Sequence, residues 1–208
     1  MRRWNGWGEA TTVVELPAQG AGFLAERLGV GRVLPDATLE EALARVPASR
    51  LAAHGLYSIE PHDRLLHARG QSLPDWLALR EGAPGLYPDA VAFPDSAGQI
   101  RQLLALAQAQ DLCLIPYGGG TSVAGHINPP DSVRPVVTVS LARMNRLLDL
   151  DEQSLLATFG PGASGPQVES QLRARGYTLG HFPQSWELST LGGWVASRSS
   201  GQQSLRYG

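Results

Sequence analysis

The sequence predicts a mixed α+β fold: a helical, loop-rich lead-in over residues 1–83, then a domain over residues 84–208 in which short strands and amphipathic helices alternate. Three observations carry this. The apolar segments Ala90–Phe93, Leu112–Ile115 and Val136–Ser140 have the length of buried strands and are bounded by turn residues. Ser96-x-x-Gln99 and Ser164-x-x-Gln167 each open a stretch of helical period. The dense punctuation of Glu81-Gly82-Ala83-Pro84-Gly85 separates the two regions.

In the lead-in, Thr38-x-x-Glu41 signals a capping box, with Leu39, Leu43 and Val46 at helical spacing until Pro47 stops the helix. His62-Asp63-Arg64 and Gly70–Trp76 read as turns, with a short helix over Trp76–Arg80. In the second region Ala90–Phe93 is a strand, and the helix after Ser96 turns Ile100, Leu103, Leu104 and Ala107 inward. Leu112–Ile115 is the next strand, and β-branched Val136–Ser140 the third. Leu147–Leu150 and Leu155–Phe159 flank Asp151-Glu152-Gln153 as a hairpin, whose Asp149–Glu152 charges face solvent. The helix after Ser164 turns Val168 and Leu172 inward, with Gly176 just past its end.

Composition narrows the function. Lys and Arg total 17 against 19 Asp and Glu, with no basic block, so a nucleic-acid partner is not expected. The single cysteine, Cys113, forbids an internal disulfide and reads as a small buried hydrophobe. No apolar stretch is long enough to cross a bilayer. Met1-Arg2-Arg3 leads into Trp4-Asn5-Gly6-Trp7-Gly8 rather than an apolar core, so no signal peptide is expected and the cytoplasm is the expected compartment. Trp4 and Trp7 suit either a docking segment or a locally packed arm. His54, His62, His67, His126 and His181 lack metal-ligand spacing, and no Gly-x-Ser-x-Gly elbow is present.

The chemistry concentrates in two stretches. Pro116-Tyr117-Gly118-Gly119-Gly120-Thr121-Ser122 closes a strand with three glycines and two hydroxyls. A loop without Cβ atoms can aim several N–H groups at one phosphate. Two familiar phosphate loops fail here. Val123 stands where G-x-G-x-x-G needs glycine, and Val137–Arg143 lacks the ribose-binding acid; His126-Ile127 stand where a P-loop needs Lys and Ser or Thr. Taken by spacing alone, an ordinary glycine-rich turn fits equally well. The second stretch, Gly180–Gly201, mixes Trp186 and Trp194 with glycines and hydroxyls. Gly192-Gly193 argues against a helix, at about 1 kcal/mol per glycine relative to alanine. A flat ligand lying on small-residue backbone is one reading, and a tight packing site is the other.

Ile115–Val123 and Glu187-Leu188-Ser189-Thr190-Leu191-Gly192-Gly193-Trp194 resemble the two FAD-contacting segments of the vanillyl-alcohol-oxidase, or PCMH-type, flavoprotein family. The likeness is strongest to its alkyldihydroxyacetonephosphate synthase branch. Trp4–Gly8, Leu79-Arg80-Glu81-Gly82, Met144-Asn145-Arg146, Gly176-Tyr177 and Gly180-His181 resemble that branch in the same order. The resemblance implies a PCMH-type FAD-binding domain of two α/β subdomains, and a noncovalent FAD, since no histidine lies within Pro116–Ser122. It implies that Pro116, Tyr117, Gly118, Gly119, Gly120, Thr121 and Ser122 wrap the pyrophosphate. Gln184, Ser185, Trp186, Glu187, Leu188, Ser189 and Thr190 would line the flavin side, and Ser197, Arg198, Ser199 and Ser200 would complete the site. Arg198 would either neutralise flavin or substrate charge or face solvent. Gln184 departs from the acidic residue of the synthases.

The implied activity exchanges the acyl group of acyl-dihydroxyacetone phosphate, a lipid-like substrate, for a fatty alcohol. Relatives that oxidise D-2-hydroxy acids are the alternative, as is a remnant without catalysis. The family's FAD domain runs past Gly208 into a cap domain that carries the acid–base residues. The expectation is therefore an FAD domain incomplete at its C-terminus, with an open sheet edge and poor solubility, its missing half supplied by a second chain, or the chain paired as a homodimer.

Overall fold

The computed structural model describes residues 3–31 and 34–202; Met1-Arg2 and the chain end Leu205–Gly208, on which two sequence readings bear, lie outside the described residues. In the lead-in, α1 (Ala18–Leu28) buries none of its residues. The predicted capping box opens α2 (Leu39–Ala44): the Thr38 hydroxyl accepts from the Glu41 amide, and the Glu41 carboxylate accepts from the Thr38 amide at 2.8 Å.

Two sequence readings are corrected here. His62-Asp63-Arg64 is not a turn but lies in α3 (Pro61–Leu66). Pro61 presets the first helical φ, and the buried Arg64 guanidinium donates to the carbonyls of Pro88 and Pro47, both at 2.6 Å. Those partners are distant in sequence, so no local pattern announces the helix. The helix expected from Trp76 is α4 (Leu73–Arg80), opened three residues earlier by a Ser72–Asp75 capping box.

The first sheet has three parallel strands in the order β1 (Ala90–Ala92), β3 (Val136–Ser140), β2 (Cys113–Tyr117), with Val91, Thr138 and Ile115 in register. The helix α5 (Ala97–Ala109) carries the chain from β1 to β2 and packs Leu103 and Ala107 on Ala90, Ala92, Val137 and Val139. Leu104, expected inward, is 55 % exposed. A three-stranded sheet is too narrow to cover a wider stripe of the helix. Cys113 is half-buried rather than buried. Ser58 pairs with Val91 on the outer side of β1, so the lead-in extends the sheet.

A single carboxylate ties this junction. Asp89 accepts from Arg50 Nε (2.8 Å) and Nη2 (2.7 Å), from the Arg50 amide (3.2 Å), and from the Val136 amide at the start of β3 (2.7 Å).

The second unit is the antiparallel hairpin β4 (Leu147–Asp151) and β5 (Leu156–Phe159), with α6 (Gly165–Arg173) packed on it through Val168 and Leu172. Leu148, Leu155 and Leu156 remain exposed. The last described element corrects a third reading: Gly192-Gly193 sit inside a helix, α7 (Leu191–Ser197). The reason is packing. A Cβ on Gly192 would stand 2.7 Å from the Pro161 side chain, so close contact requires the glycine that helix propensity disfavours. Gly192→Ala is expected to destabilise the chain by about 1–3 kcal/mol, as overpacking does. Gly98→Ala, on α5 where a Cβ would make only an ordinary contact with Ser96 Oγ at 3.7 Å, should stabilise it by up to about 1 kcal/mol. Urea melts of both variants check the pair, and equal effects would refute the packing account.

Candidate cofactor site

The β2 strand delivers the glycine loop to the C-terminal end of the parallel sheet, the usual place for a ligand in such sheets. Tyr117 anchors the base of the loop. Its hydroxyl donates to the Leu66 carbonyl (3.3 Å), its carbonyl accepts from the Leu141 amide (2.9 Å), and its ring lies 4.7 Å from that of His67.

Gly118 and Gly119 then meet the second segment closely, Gly118 against the Thr190 side chain and Gly119 against main-chain atoms. A Cβ on Gly118 would overlap the Thr190 hydroxyl, and one on Gly119 would overlap the Leu188 carbonyl. These two glycines are thus required by the junction of the two segments, a reason distinct from the ligand approach that the sequence suggests. Gly120 adopts φ 69°, the left-handed region. Among the described residues no protein acceptor takes the N–H groups of Gly118 through Val123.

The two segments enclose a cleft of about 680 Å³. Pro116, Tyr117, Gly118, Gly119, Gly120, Thr121 and Ser122 line one side; Gln184, Ser185, Ser189, Thr190, Ser197 and Ser199 line the other. The expected residues Trp186, Glu187, Leu188, Arg198 and Ser200 are not on its wall. The Trp186 indole lies against Gly165 at the start of α6, and its carbonyl accepts from the Gly165 amide at 3.2 Å. The Leu188 carbonyl faces Gly119, and Glu187, Arg198 and Ser200 are exposed. Arg198 closes α7 in the left-handed conformation, φ 50°.

Several hydroxyls are already engaged. Buried Trp194 donates to Ser189 Oγ (2.7 Å), which in turn donates to the Ser185 carbonyl (2.9 Å). Ser197 donates to the Gly193 carbonyl (2.7 Å), and Ser122 Oγ lies 3.1 Å from His126 Nδ1. Sequence reasoning did not single out Ala124, Ile127, Leu141 and Ala196 as lining, because only the fold brings α7 and the end of β3 over the loop. Behind this wall, buried Glu169 on α6 accepts from Thr178 Oγ1 (2.8 Å) and the Leu179 amide (3.0 Å), fixing the entry to the second segment. Burial pushes its pKa up, but these bonds and Arg173 outweigh burial and hold the carboxyl below its ordinary value.

These features fit FAD. The volume lies within the roughly 300–1,000 Å³ of cofactor pockets. The unpaired loop amides suit a pyrophosphate, and among the described residues no Asp or Glu side chain lines the cleft to repel it.

The chain is 31% identical over 99% of its length to the alkyldihydroxyacetonephosphate synthase of Trypanosoma brucei brucei, and 40% identical over 70% to that of Dictyostelium discoideum. It spans 39% and 24% of those two proteins. A solved alkyldihydroxyacetonephosphate synthase structure superposes on all of this chain with a TM-score of 0.87 at 30% identity, and this chain covers 43% of it. The FAD binding domain family matches residues 88–208. With that match spanning the glycine loop, the cleft and the second segment, the chain belongs to the PCMH-type FAD binding domain family, and FAD is its cofactor.

Proposed function

We propose that this chain is the FAD-binding part of an ether-lipid-forming enzyme, which exchanges the acyl group of acyl-dihydroxyacetone phosphate for a fatty alcohol. The observation that supports the reading most is the reach of the likeness: it runs through the lead-in as well as the matched domain. FAD, when bound, supplies the electrophilic chemistry of its ring system. In this reading residues 84–208 form the FAD-binding domain. The amides of Gly118–Val123, with Thr121 and Ser122, hold the pyrophosphate. Ser185, Thr190 and the small residues of α7 border the rest of the cofactor. Trp194 and Ser189 keep that border in place.

Titrating the whole chain with FAD, followed by flavin fluorescence and melting temperature, tests the cofactor half. Saturable binding is expected, with about 2.7 kcal/mol of stabilisation at one hundred times Kd; none would overturn it. Transfer of labelled hexadecanol onto acyl-dihydroxyacetone phosphate, giving the labelled alkyl ether and releasing the fatty acid, tests the reaction. Reduction of a dye by D-lactate, with no alkyl product, would favour the oxidase alternative.

A further inference from the structure

The glycine loop returns to the sheet through residues 122–128, and both ends of this return are tied to the strip Arg69–Ser72 of the lead-in, outside the matched family region. At one end the Gln71 amide donates to the Ser122 carbonyl at 2.7 Å, with Gly70 packed so closely that a Cβ would overlap that oxygen. At the other end Asn128 bridges two groups: its Oδ1 accepts from the Gly70 amide and its Nδ2 donates to Asp75 Oδ1, both at 2.8 Å. Asp75 is 3% exposed. Its second oxygen accepts from the Ser72 hydroxyl (2.6 Å) and amide (3.1 Å), and Arg69 Nη1 lies 3.7 Å from Oδ1.

We propose that Asp75 and Asn128 form a directional clamp that positions the loop amides for the FAD pyrophosphate, making residues 69–76 a functional part of the cofactor site. The inference rests on the assignment of FAD to the cleft. In a trans peptide the C=O and N–H point opposite ways. Holding the Ser122 carbonyl on Gln71 therefore turns the Val123 N–H to the other side, where Val123 borders the cleft. A capping box for α4 needs only Ser72 and Asp75. The links to Asn128 and Arg69 go beyond that need. Each bond of the clamp runs one way: Gly70 N–H to Asn128 Oδ1, Asn128 Nδ2 to Asp75, and Ser72 to Asp75.

Direction is what the test reads. In Asp75→Asn, whichever way the two amides turn, a donor meets a donor or an acceptor loses its bond, so FAD binding should weaken roughly tenfold or more. Asn128→Asp sets two carboxylates against each other and should be worse. The double variant Asp75→Asn/Asn128→Asp restores these three hydrogen-bonded pairs while giving up the longer Arg69–Asp75 contact, and its FAD Kd should return to within about threefold of wild type. Asn128→Ala, which spares the capping box, should weaken FAD binding while the apo chain still melts cooperatively; it keeps the test decisive if Asp75→Asn does not fold. The readouts are Kd from flavin quenching, the circular dichroism of the bound flavin, and the apo melting temperature. A residue with only a structural role would lower the apo melting temperature without directional recovery of Kd. Wild-type binding that Asp75→Asn and Asn128→Ala leave unchanged overturns the clamp alone, as does a folded double variant without recovery. A folded wild-type chain that takes up no FAD overturns the cofactor assignment, and the clamp with it.

Discussion

Replacing Gly119 by valine abolishes saturable FAD binding and lowers the melting temperature of the apo chain. The Cα of Gly119 abuts the Leu188 carbonyl and the Ser189 backbone, so any Cβ lands inside main-chain atoms. A flexible side chain could swing aside, but the obstacle is the backbone of a turn pinned by the Leu188 and Ser189 amides, which both donate to the Ser185 carbonyl. The two segments must separate, and the cleft between them opens. Overpacking of this kind costs about 1–3 kcal/mol where side chains can yield, so the cost here should reach the top of that range. FAD affinity should fall at least about a hundredfold, some 2.7 kcal/mol. Gly119→Ala should already show most of the loss. Wild-type affinity in either variant would show that the segments do not meet as described.

Asp89→Ala is expected to lower stability by about 3 kcal/mol, the low end for breaking a buried ion pair because Arg50 is half-exposed. One carboxylate serves the Arg50 side chain, the Arg50 amide and the Val136 amide, so its removal frees the lead-in and the start of β3 together. For a chain of this length that is a drop of roughly 6–12 °C in Tm. Burial pushes the Asp89 carboxyl up, yet the bonds from Arg50 and Val136 outweigh it and hold it below its ordinary value. A lowered carboxyl contributes stability at neutral pH and loses it as pH falls through the folded value, below about pH 4. Wild type should therefore lose stability steeply on that acid limb, and Asp89→Asn should be weaker at pH 7 with a shallower limb. Parallel limbs in urea titrations would rule Asp89 out as the source.

How legible this was depended on how local each cause is. Capping boxes at Thr38 and Ser164 and the β-branched run Val136–Ser140 announce their elements through neighbours within a few residues, and the hairpin around Asp151 does too. The helix holding Arg64 is secured by carbonyls of Pro47 and Pro88, and α7 tolerates its glycines because of Pro161; neither partner is visible in a local window. The glycine loop stood out as a phosphate loop, but spacing could not reveal that Gly118 and Gly119 answer to Thr190 and Leu188. Trp186 drew notice as an aromatic amid small residues, and its role against Gly165 follows only from the fold.

The strand order β1-β3-β2 places the last strand made between the two made earlier. During synthesis, residues 113–117 leave the ribosome with no strand to pair with, and residues 90–92 with only Ser58, until residues 136–140 follow. At about 5–20 residues per second, the first strand waits roughly 2–10 s for its partner. Arg50 waits as well, since its acceptors are Asp89 and the carbonyls of residues 132–134. Nascent chains shorter than about 135 residues therefore hold none of the parallel pairing, and the cofactor loop they already carry lacks the strand that anchors its base. Assembly of the parallel sheet is therefore expected to come late, and chaperone binding to its unpaired strands should be heaviest just before it.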